Sequence, residues 1–154
     1  MLTAPTAATR TLLSTNDVFS NRLLTSVFGE YTLAEGLTFR SSVSADYISF
    51  REFRFSPTTT NAGAGTGGTG IEAMSADLNL VNENYFTYRR NFGNLGVDAL
   101  LGASFQNSKF ESFFGQGENF PGNTILTLNA ASVKRDVTSS RSEWGLNSYF
   151  SRFN

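Results

Sequence analysis

The chain has 154 residues, a net charge of −1, and neither Cys nor His, which excludes internal disulfides, thiolate or imidazole metal sites and Ser-His or Cys-His nucleophile pairs. Near-neutral charge also implies no bulk attraction to nucleic acid or to anionic lipid. Charged residues make up 16%, against about 25% in ordinary soluble domains, while aromatics reach 14% with fifteen Phe, a composition that argues against disorder but makes a poor soluble surface.

Residues 1–20 lack both a basic n-region and an apolar h-region, so no signal peptide is expected there, and the segment reads as an extracellular loop or an irregular stretch. No run of about 18 apolar residues occurs, so no transmembrane helix is expected. The first periodic segment is 21–33. Leu23, Val27, Tyr31 and Leu33 share one face, and Arg22, Ser26, Glu30 and Thr32 share the other, with Leu24 and Phe28 interrupting the polar side. Ala34-Glu35-Gly36 then reads as a tight turn, Gly supplying the positive φ.

Residues 37–47, LTFRSSVSADY, alternate cleanly and run on toward Phe50. Leu37, Phe39, Val43 and Tyr47 fall on one side and Thr38, Arg40, Ser42 and Asp46 on the other. Such a period of two is a strand signal, because a helix would mix the two sets. The stretch 51–75 is rich in Thr and Gly and is expected to be a mobile loop. Within it, NAGAGTGGTG holds two overlapping G-x-G-x-x-G matches. A dinucleotide fingerprint needs a buried strand before it and a helix opening after it, and TTT and IEAMS supply neither.

Residues 76–91 predict a third strand with Ala76, Leu78, Leu80, Phe86 and Tyr88 on one face. A helical spacing of Ile71, Met74, Leu78, Val81 and Tyr85 competes with it, against poor helix propensity in NENYFTY. A turn at Asn91-Phe92-Gly93-Asn94 leads into 95–107. There Val97, Ala99, Leu101 and Phe105 oppose Asp98, Leu100, Ser104 and Gln106. The stretch 108–140 reads as a second long irregular connection, and 141–154 as a last strand.

Short and long connections therefore alternate, as in transmembrane barrels with short periplasmic turns and long extracellular loops. Segments of this length suit the ~9–11 residues that cross a bilayer on a tilt. The polar positions are mostly small and uncharged, as in a crowded lumen, and the rings of Tyr31, Tyr47, Tyr88, Phe92 and Phe105 lie near segment ends like an aromatic girdle. The expected fold is all-β: an antiparallel up-and-down meander of about five strands belonging to a larger outer-membrane β-barrel, with lipid against Leu37, Phe39, Val43 and Tyr47. Alternation alone also admits a half-exposed sheet in a soluble sandwich.

Three stretches, NRLLTSVFGEYTLAEGLTFRSSVSADY, YFTYRRNFGNLGVDALLGASFQNS and SYFSRFN, resemble SusC/RagA-type TonB-linked outer-membrane proteins of Bacteroidota, and together they span residues 21–154. The resemblance implies a barrel of about 22 strands, an N-terminal plug, energy delivered by TonB, a SusD-like lipoprotein as partner, and uptake of oligosaccharides or peptides. No plug and no TonB box is recognised in this sequence. Five strands cannot close such a barrel, and an open sheet edge is not tolerated in hydrocarbon. The chain is therefore expected to be a fragment that pairs with the rest of its own barrel and plug, and not to transport alone.

Arg40, Asp46, Asp98 and Gln106 are expected to face the lumen as wall residues that hold the plug or touch solute. Phe110, Phe113, Phe114 and Phe120, read as one aromatic loop, are candidates for stacking on solute or packing on neighbouring loops or a lid partner. The carboxylates Glu30, Asp46, Glu83, Asp98, Glu111, Glu118 and Glu143 show no spacing that pairs any two for acid–base work, so neither an enzyme nor a cofactor is expected. The alternative function is a secreted β-rich glycan-binding or adhesion module.

Overall fold

A computed structural model describes residues 14–154. It contains β1 (Thr15–Ala34), β2 (Leu37–Ser56), β3 (Thr69–Phe92), β4 (Leu95–Glu118) and β5 (Val133–Phe153). The five strands form one antiparallel sheet in sequence order, β1-β2-β3-β4-β5, which is not closed. The helical alternative for 76–90 is not adopted. Its positions lie inside β3, where Tyr, Phe, Thr and Val suit a pleated surface better than a helix.

The strands run 20 to 24 residues, well beyond the alternating cores read from sequence. Residues 15–20, expected to be irregular, belong to β1; residues 1–13 of that segment lie outside the described part. The loop expected at 51–75 contracts to 57–68, and the one expected at 108–140 contracts to 119–132. Charge hid the extra strand. In REFRFS, Arg51, Phe53 and Phe55 alternate with Glu52 and Arg54, and the charges are met by neighbours: Arg51 pairs with Glu72 at 2.8 Å and Arg54 with Glu52 at 2.6 Å.

Contacts group the chain into two units. The turn unit comprises Arg22–Ile48, Asp77–Phe110 and Ser142–Asn154; the loop unit holds Ser49–Ala76, Glu111–Arg141 and the described residues before Arg22.

In the turn unit the register follows from side chains that meet across strands. Ser44 donates to Ser26 at 2.9 Å, and the Arg40 guanidinium lies 4.1 Å from the Phe28 ring centroid, so even-numbered residues of β1 and β2 share a face. Phe39 and Phe86 rings sit 4.8 Å apart on the opposite face, and Arg89 bonds Asp98 at 2.8 Å on the first. Asp98 and Asn154 exchange backbone hydrogen bonds at 2.8 and 3.1 Å, which ties β4 to β5. Leu37, Phe39, Val43, Tyr47, Val97, Ala99, Leu101 and Phe105 thus fall on one face, and Arg40, Ser42, Asp46, Asp98 and Gln106 on the other, as the alternation predicts. The turns obey local sterics: Gly36 and Gly93 adopt φ of +77° and +62°, a region that costs Gly nothing.

No second sheet covers the apolar face among the described residues. Val43 is 52% exposed and Leu101 61%, so nothing among the described residues packs over these side chains.

The loop unit carries the buried core: Phe55, Phe120 and Ala131, with Phe53, Leu126, Leu128 and Ala130 against them. Phe55 and Phe120 meet edge to face at 5.0 Å, a favoured geometry for aromatic quadrupoles. The two connections are stitched together by hydrogen bonds. Asn119 donates its backbone N–H to Thr66 and Phe120 donates to Gly67, both at 2.9 Å. Asn123 Oδ1 accepts from the Thr58 backbone at 3.1 Å, and Lys134 Nζ donates to the carbonyls of Leu128, Asn129 and Ala131. Asn119 sits at φ +59°, a left-handed conformation that Asn tolerates better than most residues.

Two outcomes are expected. Expressed by itself in aqueous buffer, the chain should self-associate and become monodisperse only in detergent, because its apolar face is uncovered and β1 and β5 each carry an unpaired edge. Sedimentation velocity showing a monomer without detergent would refute this. Gly70→Ala should loosen the loop core, since a Cβ there lies 2.7 Å from a Phe120 ring atom. A loss of about 1–3 kcal/mol is expected from overpacking, read as faster hydrogen exchange in 119–132.

Candidate functional site on the polar face

The even-numbered residues of β1 and β2 in the turn unit build a polar wall whose charges are matched across strands. Arg22 reaches Asp46 with two hydrogen bonds, Nε at 2.9 Å and Nη2 at 2.7 Å, the fork geometry in which guanidinium and carboxylate fit best. Asp98 takes Arg89 from β3 on Oδ2, at 3.0 and 2.8 Å, and Arg152 from β5 on Oδ1 at 3.3 Å. Arg40 lies over Phe28 and 3.8 Å from Glu30. Gln106 donates to Asn79 at 3.0 Å.

This arrangement limits the chemistry available. Each of the two aspartates is occupied by a guanidinium on an adjacent strand, so neither is poised as a free acid or base. The described residues contain no group of three or more potential metal ligands. What remains is a polar wall in which guanidiniums on neighbouring strands take up Asp46 and Asp98. Exposed ion pairs of this kind add little stability in water; their consequence here is geometric, holding flexible Arg side chains flat along the sheet.

Arg40, Asp46, Asp98 and Gln106 therefore share one face of the sheet. Sequence reasoning missed their partners Arg22, Arg89, Arg152, Phe28 and Asn79. The signal was present in parity: once the hairpin turns are placed, the facing residue on the next strand is determined. Phe28, read as an interruption of the polar side, is the platform on which Arg40 rests.

The four phenylalanines do not form one aromatic loop. Phe110, Phe113 and Phe114 lie within β4, where period two sends Phe110 and Phe114 to one face and Phe113 to the other. Phe110 and Phe113 are each 37% exposed, whereas Phe120 is buried in the loop core and is a packing residue.

Long antiparallel strands in chain order, with one apolar and one ion-paired face joined by tight turns, define a piece of a transmembrane β-barrel wall. No family model matches the chain. Two proteins of Formosa agariphila, TonB-dependent receptor P3 and TonB-dependent receptor P26, are each 30% identical to it, over 82% and 92% of this chain. The matched region makes up 13% and 15% of those relatives, so the chain spans a small part of their length. The solved RagAB peptide transporter superposes with a TM-score of 0.84 at 17% identity, covering 93% of this chain and 16% of that one. The RagAB peptide importer in its open-open state gives 0.82 at 18% over the same shares. The chain belongs to the TonB-dependent receptors, as a segment of their barrel.

Asp46→Asn tests the geometric role of the wall. It should release Arg22 and speed amide exchange in β1 while leaving β4 and β5 unchanged. Unaltered exchange in β1 would show that the pair does not secure that strand.

Proposed function

We propose that this chain supplies part of the wall and two external loops of an outer-membrane importer energised through TonB, with peptides or oligosaccharides as solute. The observation that carries the reading is the opposition of an uncovered apolar face and an ion-paired polar face on the same paired strands. In a barrel the first meets lipid and the second lines the lumen. The fold relatives include a peptide transporter, and both curated relatives are TonB-dependent receptors; these favour transport. The remaining barrel strands, a plug, TonB and a SusD-like lipoprotein are the partners this reading requires, and the cell outer membrane is the location.

Within it, Arg40, Asp46, Asp98 and Gln106 are wall residues, each held by a side chain on the adjacent strand. Phe110 and Phe114, which share a face of β4, are the rings assigned to solute. Phe113 lies on the reverse face.

The test is uptake by cells carrying the intact transporter. Phe110→Ala and Phe114→Ala should raise the half-saturating solute concentration at unchanged surface expression. Asp98→Asn should leave uptake and the barrel's melting temperature in detergent essentially unchanged. Uptake insensitive to loss of TonB would overturn the proposed function. Uptake abolished by Asp98→Asn at an unchanged melting temperature would instead make Asp98 a solute contact.

A further inference from the structure

Residues 119–132, the connection between β4 and β5, close on themselves and lie against a floor of glycines. At the base, the Ser132 N–H and hydroxyl both donate to the Asn119 carbonyl at 3.0 Å, and Asn119 Nδ2 donates back to the Ser132 hydroxyl. A compact connection whose ends meet in this way is an Ω-loop. Its Leu128 sits over Gly70 of β3 and over Gly115 and Gly117 of β4. A Cβ at Gly115 would lie 2.8 Å from Leu128 Cδ1, and Cβ atoms at Gly70 and Gly117 would lie 3.3 and 3.6 Å from Leu128 Cδ2. Ala131 fills the neighbouring space, since a Cβ at Gly117 would come 2.6 Å from its own. Lys134 of β5 holds the Leu128 carbonyl at 2.7 Å. One leucine thus bears on three adjacent strands, β3 and β4 through its side chain and β5 through its carbonyl.

The glycines make β4 depend on that loop. Alternate residues of a strand share a face, so Phe113, Gly115 and Gly117 lie on one side and Phe114 and Gln116 on the other. The Phe113 Cζ, 3.2 Å from a Cβ at Gly115, lies on the glycine side. On that side β4 has no side chains at 115 and 117 to pair across strands, and glycine has the most backbone freedom to restrain. Interior glycines mark places where another group approaches a strand closely. Here that group is Leu128 with Ala131, and their packing stands in for the missing side chains directly behind Phe114.

We propose that residues 119–132 brace the solute-facing stretch of β4, with Leu128 the positioning residue that fixes Phe114. The proposal rests on the reading that Phe114 meets solute. Leu128 itself touches no solute; it acts from the reverse face, through the β4 backbone. The loop is then a fixed support rather than a lid, and its seat is set by size, a bare floor under a large side chain. Moving that size from one side to the other, with Gly115→Ala and Leu128→Ala together, should keep the brace seated.

The experiment uses the intact transporter carrying this segment. A nitroxide on Phe114→Cys reports by electron paramagnetic resonance how firmly β4 is held there. Leu128→Ala, which removes the braced side chain, and Gly115→Ala, which strikes it from below, should each mobilise the label. The two together should restore the immobile spectrum, and a label on Val97→Cys should respond to none of them. Uptake is measured in cells with Phe114 intact, using fluorescent tryptic peptides and fluorescent maltodextrins as probes. Leu128→Ala should raise the half-saturating concentration about threefold at unchanged maximal rate, a size within what one aromatic contact supplies. The paired substitution should return it to the wild-type value. In a Phe114→Ala background Leu128→Ala should add nothing, because residues that act through one another are not additive. If Leu128→Ala does not insert, Leu128→Val carries the same test. An unmoved label, failure of the pair to rescue, or full additivity with Phe114→Ala overturns the brace. Phe114→Ala at unchanged half-saturation overturns the solute reading and with it the brace's part in uptake, and this outcome is distinct because the label still responds to Leu128→Ala.

Discussion

The pairing of backbone N–H and C=O groups between neighbouring strands is the constraint on which the rest of this structure depends. In hydrocarbon each unsatisfied group costs several kcal/mol, so a segment that crosses on strands must satisfy all of them laterally. Antiparallel neighbours joined by tight turns do this most directly, and the Asp98–Asn154 exchange and the Arg89 N–H to Gly36 carbonyl bond show the ladder at work. Once every backbone group is committed sideways, side chains have only two directions left. Period two then sorts them into an apolar and a polar surface without further instruction.

The two units solve different problems with different means. In the turn unit, burial is scarce, and order comes from the ladder with ion pairs laid across it. In the loop unit, long connections would lose much conformational entropy if they were held only by hydrogen bonds. A small aromatic and aliphatic core, centred on Phe55 and Phe120, offsets that cost, and Lys134 caps carbonyls that an irregular loop would otherwise leave bare. Glycine at position 70 makes room for it: any side chain there would strike the Phe120 ring.

Strand number, order, hairpin turns and facing were legible in the sequence because each rests on local chemistry: period two over 37–47 and 95–107, Gly at the turns, and rings near the ends. Strand length was not. Alternating Arg, Glu and Phe in 51–55 looks like a loop until Glu72 on the next strand supplies the counter-charge, and that pairing is non-local. The same limit applied to the polar face. Arg40, Asp46, Asp98 and Gln106 could be placed by parity alone, but which guanidinium meets which carboxylate required the register. The particular packing of Phe120 on Phe55 was out of reach for a related reason. A ring in a Gly- and Asn-rich stretch gives no periodic sign of the core that receives it.

The polar residues of the apolar face show how far self-satisfaction reaches. Ser41, Asn84 and Asn82 pass hydrogen bonds in sequence and end on a backbone carbonyl, so three polar side chains cross an apolar surface with their main donors engaged. A β-sheet can offer this because residues directly opposite on neighbouring strands lie within reach of one another. The closure has a cost in freedom, since each amide must hold one orientation for the next to be satisfied.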